Sequence, residues 1–154
     1  MTTTPTGIIV EATGDSLGTI LNSLASGGTA ISAAIDNTAA TVGHAPYDIA
    51  DVQLVFASTT MGSGSPFIQA AIVAALDGTN YETWGLSNSQ IFPIPGSASE
   101  PLLPSTAYTT IRIKGLILPP ALFKVAFYYN GGTTPPALPA SVTATLYRMQ
   151  GGIG

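Results

Sequence analysis

The chain has no cysteine, one histidine, one tryptophan and very little charge: four Lys+Arg and eight Asp+Glu make up 8% of 154 residues. Without cysteine there is neither a disulfide framework nor a thiolate metal site. Arg112, Lys114, Lys124 and Arg148 are all the cations the chain carries, and its net charge is −4. A protein that grips nucleic acid needs a stripe of phosphate-neutralising side chains, so that class is excluded. His44 has no second His or Cys with which to build a zinc site. No apolar run is long enough to span a bilayer, since Phe67 to Leu76 covers about half of the ~20 residues a spanning helix requires. The start, Met1-Thr2-Thr3-Thr4-Pro5-Thr6-Gly7, lacks the basic and apolar regions of a signal peptide. The expectation is a soluble protein made and folded in a cytoplasm, with no membrane role.

What is present is 45% hydrophobic residues, 17 glycines and 12 prolines, with Ser and Thr supplying most of the polarity. A disordered chain is too poor in apolar residues to match this composition. The length suits one domain. Alternation marks strands: Val52, Leu54 and Phe56; Ile111 and Ile113 against Arg112 and Lys114; Phe123, Val125, Phe127 and Tyr129; and Val142, Ala144 and Leu146. Between them stand turn-forming clusters such as Gly62-Ser63-Gly64-Ser65-Pro66, Pro119-Pro120 and Asn130-Gly131-Gly132. Short strands with such punctuation predict an all-β fold, an antiparallel β-sandwich of jelly-roll type. Residues 1–16 read as an extended amino-terminal arm, 17–148 as the domain and 149–154 as a tail.

Two segments are ambiguous. Leu17, Ile20, Leu21 and Leu24 fall at helical spacing, with Ser16 placed to cap and Gly27-Gly28 to terminate, but Gly18 and Thr19 are poor helix formers. Phe67 to Leu76 is alanine-rich with a β-branched pair, Ile72-Val73. Local pattern leaves helix and strand open at both.

Candidate chemistry is sparse. Gly14-Asp15-Ser16-Leu17 resembles the first block of GDSL (SGNH) esterases, whose Ser is a nucleophile. That chemistry needs a base, a carboxylate to orient it and oxyanion donors. The family's Gly-x-Asn-Asp block and its late Asp-x-x-His are absent, so the motif reads as an acidic turn leading into the first strand. Asp48 and Asp51 form a close carboxylate pair that lacks further oxygen ligands at calcium-loop spacing, which favours turn and solubility roles. Asp77-Gly78-Thr79-Asn80 reads as a tight turn. Tyr81, Trp84, Tyr128 and Tyr129 offer either a sugar-stacking platform or packing, and a single Trp favours packing. No enzymatic activity, cofactor or metal is expected.

Several phrases in order resemble a family of small virion proteins, the jelly-roll capsid decoration (cement) proteins of tailed bacteriophages. They are Ser23-Leu24-Ala25-Ser26-Gly27-Gly28, Ile35-Asp36-Asn37, Asp77-Gly78-Thr79-Asn80-Tyr81, Gly115-Leu116-Ile117-Leu118-Pro119-Pro120 with Phe123-Lys124-Val125, Asn130-Gly131-Gly132 and Leu138-Pro139-Ala140. The resemblance runs from about residue 17 to 148. It implies strands at Ile20–Ala25 and Ile68–Leu76, a location on the virion capsid surface after synthesis in the bacterial host cytoplasm, the major capsid protein as partner, and a homotrimer. A glycan-binding β-sandwich module, or a tail or neck component, is the alternative. Oligomerisation also fits the low charge and apolar second-face residues such as Val55 and Ala126. Ile8, Ile9 and Val10 form an apolar trio in a Thr/Pro-rich arm, and are expected to contact a neighbouring subunit or the shell.

Overall fold

The structure, a computed structural model, describes residues 13–42, 45–56, 67–82, 90–93, 109–130 and 137–150. The strands are β1 (Thr13–Ser16), β2 (Thr29–Ile31), β3 (Ile35–Asp36), β4 (Ile49–Phe56), β5 (Phe67–Ala75), β6 (Gln90–Pro93), β7 (Thr109–Ile117), β8 (Leu122–Asn130) and β9 (Val142–Met149). The four-residue α1 (Ala39–Val42) is the one α-helix among the described residues. The protein is therefore all-β, as the alternating runs predict. Every strand pairing is antiparallel. One sheet has the order β1-β9-β4-β7; the other has β2-β8-β5-β6, with β3 also on β8.

Alternation builds the core. Val52, Leu54 and Phe56 of β4, Ile113 of β7 and Val142, Ala144 and Leu146 of β9 come from the first sheet. Ile68 and Ala70 of β5 and Phe123, Val125, Phe127 and Tyr129 of β8 come from the second. All belong to one buried cluster. Burying side chains of this size contributes roughly 1.5–3 kcal/mol each before chain entropy is subtracted.

Among the described residues, short polar side chains take up backbone groups at several interruptions of the ladders. Between β2 and β3, buried Ser32 donates its N–H to the Val125 carbonyl, and its Oγ accepts the Val125 N–H, both at 2.9 Å. Between Ala50 and Val52 the β4–β7 register shifts, with Lys114 and Gly115 set against Asp51 alone. Gly115 has φ +74°, a left-handed conformation that a side chain resists. The Asp51 carboxylate accepts the Gly115 N–H at 3.0 Å and the Arg112 Nε–H at 2.8 Å. Between β3 and α1, Asn37 is fully buried. Its Nδ2 donates to the carbonyls of Tyr47 (2.7 Å) and Pro119 (2.8 Å), and its Oδ1 accepts the Tyr47 N–H.

Four expectations need correction. The segment Ile20–Ala25 is not a strand. Its chain runs through turns, with Asn22 N–H bonded to Thr19 O and Leu24 N–H to Leu21 O, and Ser23 at φ 53°. Leu17 and Leu21 are buried while Ile20 and Leu24 pack against the core. Spacing of 17, 20, 21 and 24 puts four apolar residues on one face of a turning chain, which an extended strand cannot do. Second, Thr13–Ser16 form β1, paired with β9, so residues 13–16 are not arm. Third, β9 runs through Met149, so the tail starts later than drawn. Fourth, Ala126 is fully buried within the single chain and supplies no exposed second face. The expected strand at Ile68–Leu76 is present as Phe67–Ala75, with Leu76 exposed in the following turn. Ile8, Ile9, Val10, His44 and Trp84 lie outside the described residues.

The bulge makes a testable unit. Gly115→Ala should cost about 1–2 kcal/mol from its positive φ, and Asp51→Ala about 1–3 kcal/mol by orphaning the Gly115 N–H. Because both act on one bulge, urea denaturation of the double variant should show less than the sum of the two losses. Strict additivity would mean that the carboxylate and the bulge are independent.

Candidate functional site

A groove of about 680 Å³ runs beside β1 and the segment from Ser32 to Asp36, and it contains the Gly14-Asp15-Ser16 motif. β1 presents that motif because it pairs with β9 in register, Gly14 with Tyr147 and Asp15 with Leu146. Each motif residue has a structural task. A Cβ on Gly14 would meet the Tyr147 ring at 3.3 Å, so glycine lets the tyrosine lie close. Asp15 holds Arg148 through Nε at 2.7 Å and Nη2 at 3.2 Å, a two-point contact. Ser16 Oγ accepts the Gly18 N–H at 3.2 Å and so closes the turn that follows, where glycine has φ +70°. The sequence reading of these residues as a turn is corrected: Gly14, Asp15 and Ser16 are strand.

Arg148 is the hub of the groove. It is buried, its Nη1 donates to the Asp36 carbonyl at 3.0 Å, and its guanidinium lies 5.0 Å from the Tyr47 ring centroid. One guanidinium thus ties β1, β9, β3 and the segment entering β4. Asp36 at the rim accepts the Thr41 hydroxyl at 2.7 Å and the Thr38 N–H at 2.8 Å. The Thr41 hydroxyl, then the Thr38 N–H, hold its carboxyl below the usual aspartate value. Ser16 therefore has no basic partner among the described residues of the groove: Asp15 is committed to Arg148, and Asp36 to the turn at α1. The arrangement is a clamp, without a described base to activate a nucleophile.

The other candidates resolve separately. Asp51 is a buried partner of Arg112, with Nη2 at 2.7 Å, rather than a solubility residue beside Asp48. No group of three or more His, Cys, Asp or Glu among the described residues is arranged to hold a metal. Asp77 closes its own turn, accepting the N–H of Thr79 (2.9 Å) and the N–H and side-chain amide of Asn80 (both 2.7 Å). The described aromatics, Tyr81, Tyr128 and Tyr129, do not form one platform. Tyr129 is buried in the core, where burial pushes its phenol up, and adjacent Tyr128 projects to the opposite face beside Phe67, ring centroids 6.1 Å apart. Tyr81 lies beneath Lys124 Nζ at 4.1 Å, a cation–π contact. Sequence reasoning missed Asn37 and Arg148 as clamps. The one available signal for Asn37 was a polar residue closing the phrase Ile35-Asp36-Asn37.

Two measurements check this account. Ser16→Ala should leave stability within about 0.5 kcal/mol and create no difference in turnover of short-chain esters; Ser16-dependent turnover would restore the nucleophile reading. The carboxyl of Asp77 should titrate at about 2 instead of its ordinary 3.8, held down first by the Asn80 N–H and then by the Asn80 amide. A depressed pKa means that the turn's contribution is complete above 3.8 and is lost as pH falls through about 2. Asn80→Ala should raise the midpoint toward the ordinary value in an NMR titration, and an unshifted Asp77 in the parent chain would contradict the bonding described. Comparison with known proteins returns no matching family model and no significantly similar curated protein.

Proposed function

We propose that the chain is a capsid decoration protein of a tailed bacteriophage, a jelly-roll β-sandwich that binds the outside of the head and stabilises the shell. The observation that supports the jelly-roll part of the reading is the nesting of strand pairs. β1 pairs β9, β2 and β3 pair β8, β4 pairs β7, and β5 pairs β6. Counting β2 and β3 as one interrupted strand gives four pairs, each enclosing the next in sequence. A long hairpin of eight strands generates this order when it rolls up, and β4–β9 and β5–β8 pairings then close two sheets.

Jelly rolls serve lectins as well as capsids, so the fold alone does not choose the role. The choice rests on the resemblance and on where its phrases fall. Ile35-Asp36-Asn37 holds the buried Asn37 clamp, Gly115 to Pro120 spans the bulge and Asn37's second acceptor, and Asp77 to Tyr81 forms the self-closed turn. A chain with 8% charge is also suited to being covered by shell and sister subunits, because interface cores are depleted in Lys, Glu and Asp. The role is mechanical: many weak contacts spread over the joints of the shell, strengthened by occupancy and by avidity within a homotrimer.

The test is the copy number of the protein in the purified particle that carries it, by quantitative mass spectrometry. Hundreds of copies per particle are expected. Absence from the particle, or only about a dozen copies as a symmetric tail or neck ring would have, would overturn the proposal.

A further inference from the structure

β1 is an outermost strand of the first sheet, and β3 lies at an edge of the second. Leu17 N–H donates to the Ala144 carbonyl at 2.9 Å, which makes these two a hydrogen-bonded pair. Bonded and non-bonded pairs alternate along an antiparallel ladder, so Asp15 and Thr13 also turn their backbone groups toward β9. Gly14 and Ser16 turn theirs the other way, along the open edge, and both residues are exposed. On the second sheet, Asn37 N–H donates to the Ala121 carbonyl, and the same alternation turns the Asp36 backbone away from β8. Its carbonyl reaches across to Arg148 Nη1 at 3.0 Å. The two sheet edges therefore face one another over the groove of about 680 Å³, joined by Arg148.

Proteins blunt an open edge with lysine, proline, a bulge or a covering segment. Thr13–Ser16 contains neither lysine nor proline, and its one charge, Asp15, is spent on Arg148. Among the described residues, nothing bonds to the outward N–H and C=O groups of Gly14 and Ser16. These groups repeat every two residues, roughly 6.8 Å, which is the repeat of an extended peptide's own donors and acceptors. Leu17, Ile20 and Ile35 give the groove an apolar lining for alternate side chains of such a peptide. Charge sets the partner's sign. The titratable lining is Asp15, Asp36 and Arg148, two carboxylates against one guanidinium. Asp15 neutralises Arg148, and the Thr41 hydroxyl and then the Thr38 N–H keep Asp36 ionised at the rim. A second copy's β1 would bring the same carboxylates, like charge against like.

We infer that this groove is a docking slot for an extended, cationic peptide segment of a partner protein. The segment pairs with the open edge of β1 as an added strand and sets a lysine or arginine against Asp36. Main-chain bonds to Gly14 and Ser16 supply the register, and the apolar lining with Asp36 supplies the selectivity. The slot does not depend on the capsid role, so its failure would leave that reading, and its copy-number test, standing.

The test is amide hydrogen exchange of the full-length protein, followed residue by residue by NMR. In the free protein, the Gly14 and Ser16 amides should exchange about tenfold or more faster than those of Asp15 and Leu17, which β9 holds. Slow exchange at Gly14 and Ser16 would show the edge already covered, and would overturn the inference. The probe is the capped peptide Lys-Thr-Val-Thr-Val-Thr-Lys, with a lysine at each end so that either strand direction brings one near Asp36. At saturation it should slow the Gly14 and Ser16 amides about tenfold or more. The same peptide with Glu in place of both lysines should bind about tenfold or more weaker, and Asp36→Asn should narrow that gap. Ser16→Pro removes an outward donor without touching a bond to β9, and should weaken binding about tenfold or more while Asp15 and Leu17 stay protected. If that variant does not fold, the exchange pattern of the parent chain decides. No binding of the lysine peptide at millimolar concentration would overturn the inference. So would binding that leaves Gly14 and Ser16 exchange unchanged, or equal affinity for the two peptides.

Discussion

The fold depends on satisfying backbone hydrogen bonds where antiparallel ladders are interrupted. An unpaired buried N–H or C=O costs about 1–3 kcal/mol, comparable with a large part of a domain's net stability. This chain interrupts its ladders repeatedly and repairs each break with a short side chain. Ser32 bridges the gap between β2 and β3, Asp51 takes the N–H freed at the Gly115 bulge, and Asn37 joins the chain entering β4 to the chain leaving β7. Asn22 does the same at the start of β9, its Oδ1 accepting the Val142 N–H at 2.8 Å. The nested strand pairs can turn corners because these groups supply what the ladder cannot.

Scarcity of charge follows the same logic. Arg148 is spent inside the groove on Asp15 and a carbonyl, Arg112 on Asp51, and Lys124 lies over Tyr81. The first sheet's outer face carries neutral groups, including Gln53, Thr110, Thr143 and Thr145, beside the Arg112–Asp51 pair and the exposed Lys114. The same commitments explain why an esterase-like spelling carries no esterase-like geometry: its Asp and Gly serve the packing of Arg148 and Tyr147.

The strands β4, β7, β8 and β9 were legible because period-two alternation is a local property, and each run faced one continuous core; β5, buried along almost its whole length, has no such alternation, and its pattern left helix and strand open. The turn at Asp77 was legible for a similar reason, since its acceptor and donors lie within three residues. The segment 17–24 was not read correctly. Its apolar spacing described one face of a series of turns, but the resemblance favoured a strand, and Gly18 and Ser23 with positive φ break any regular helix.

Sequence by itself determined the class of this protein: composition, absent cysteine and alternation define an all-β chain without a disulfide or a thiolate metal site. Tertiary structure decided what Asp15, Asn37, Asp51 and Arg148 do. Their partners lie 133 residues away for Asp15 and Arg148, 82 for Asn37 and Pro119, and 61 for Asp51 and Arg112. No local pattern encodes such pairs, because only the rolling of nested strands brings them together and only burial makes their hydrogen bonds obligatory.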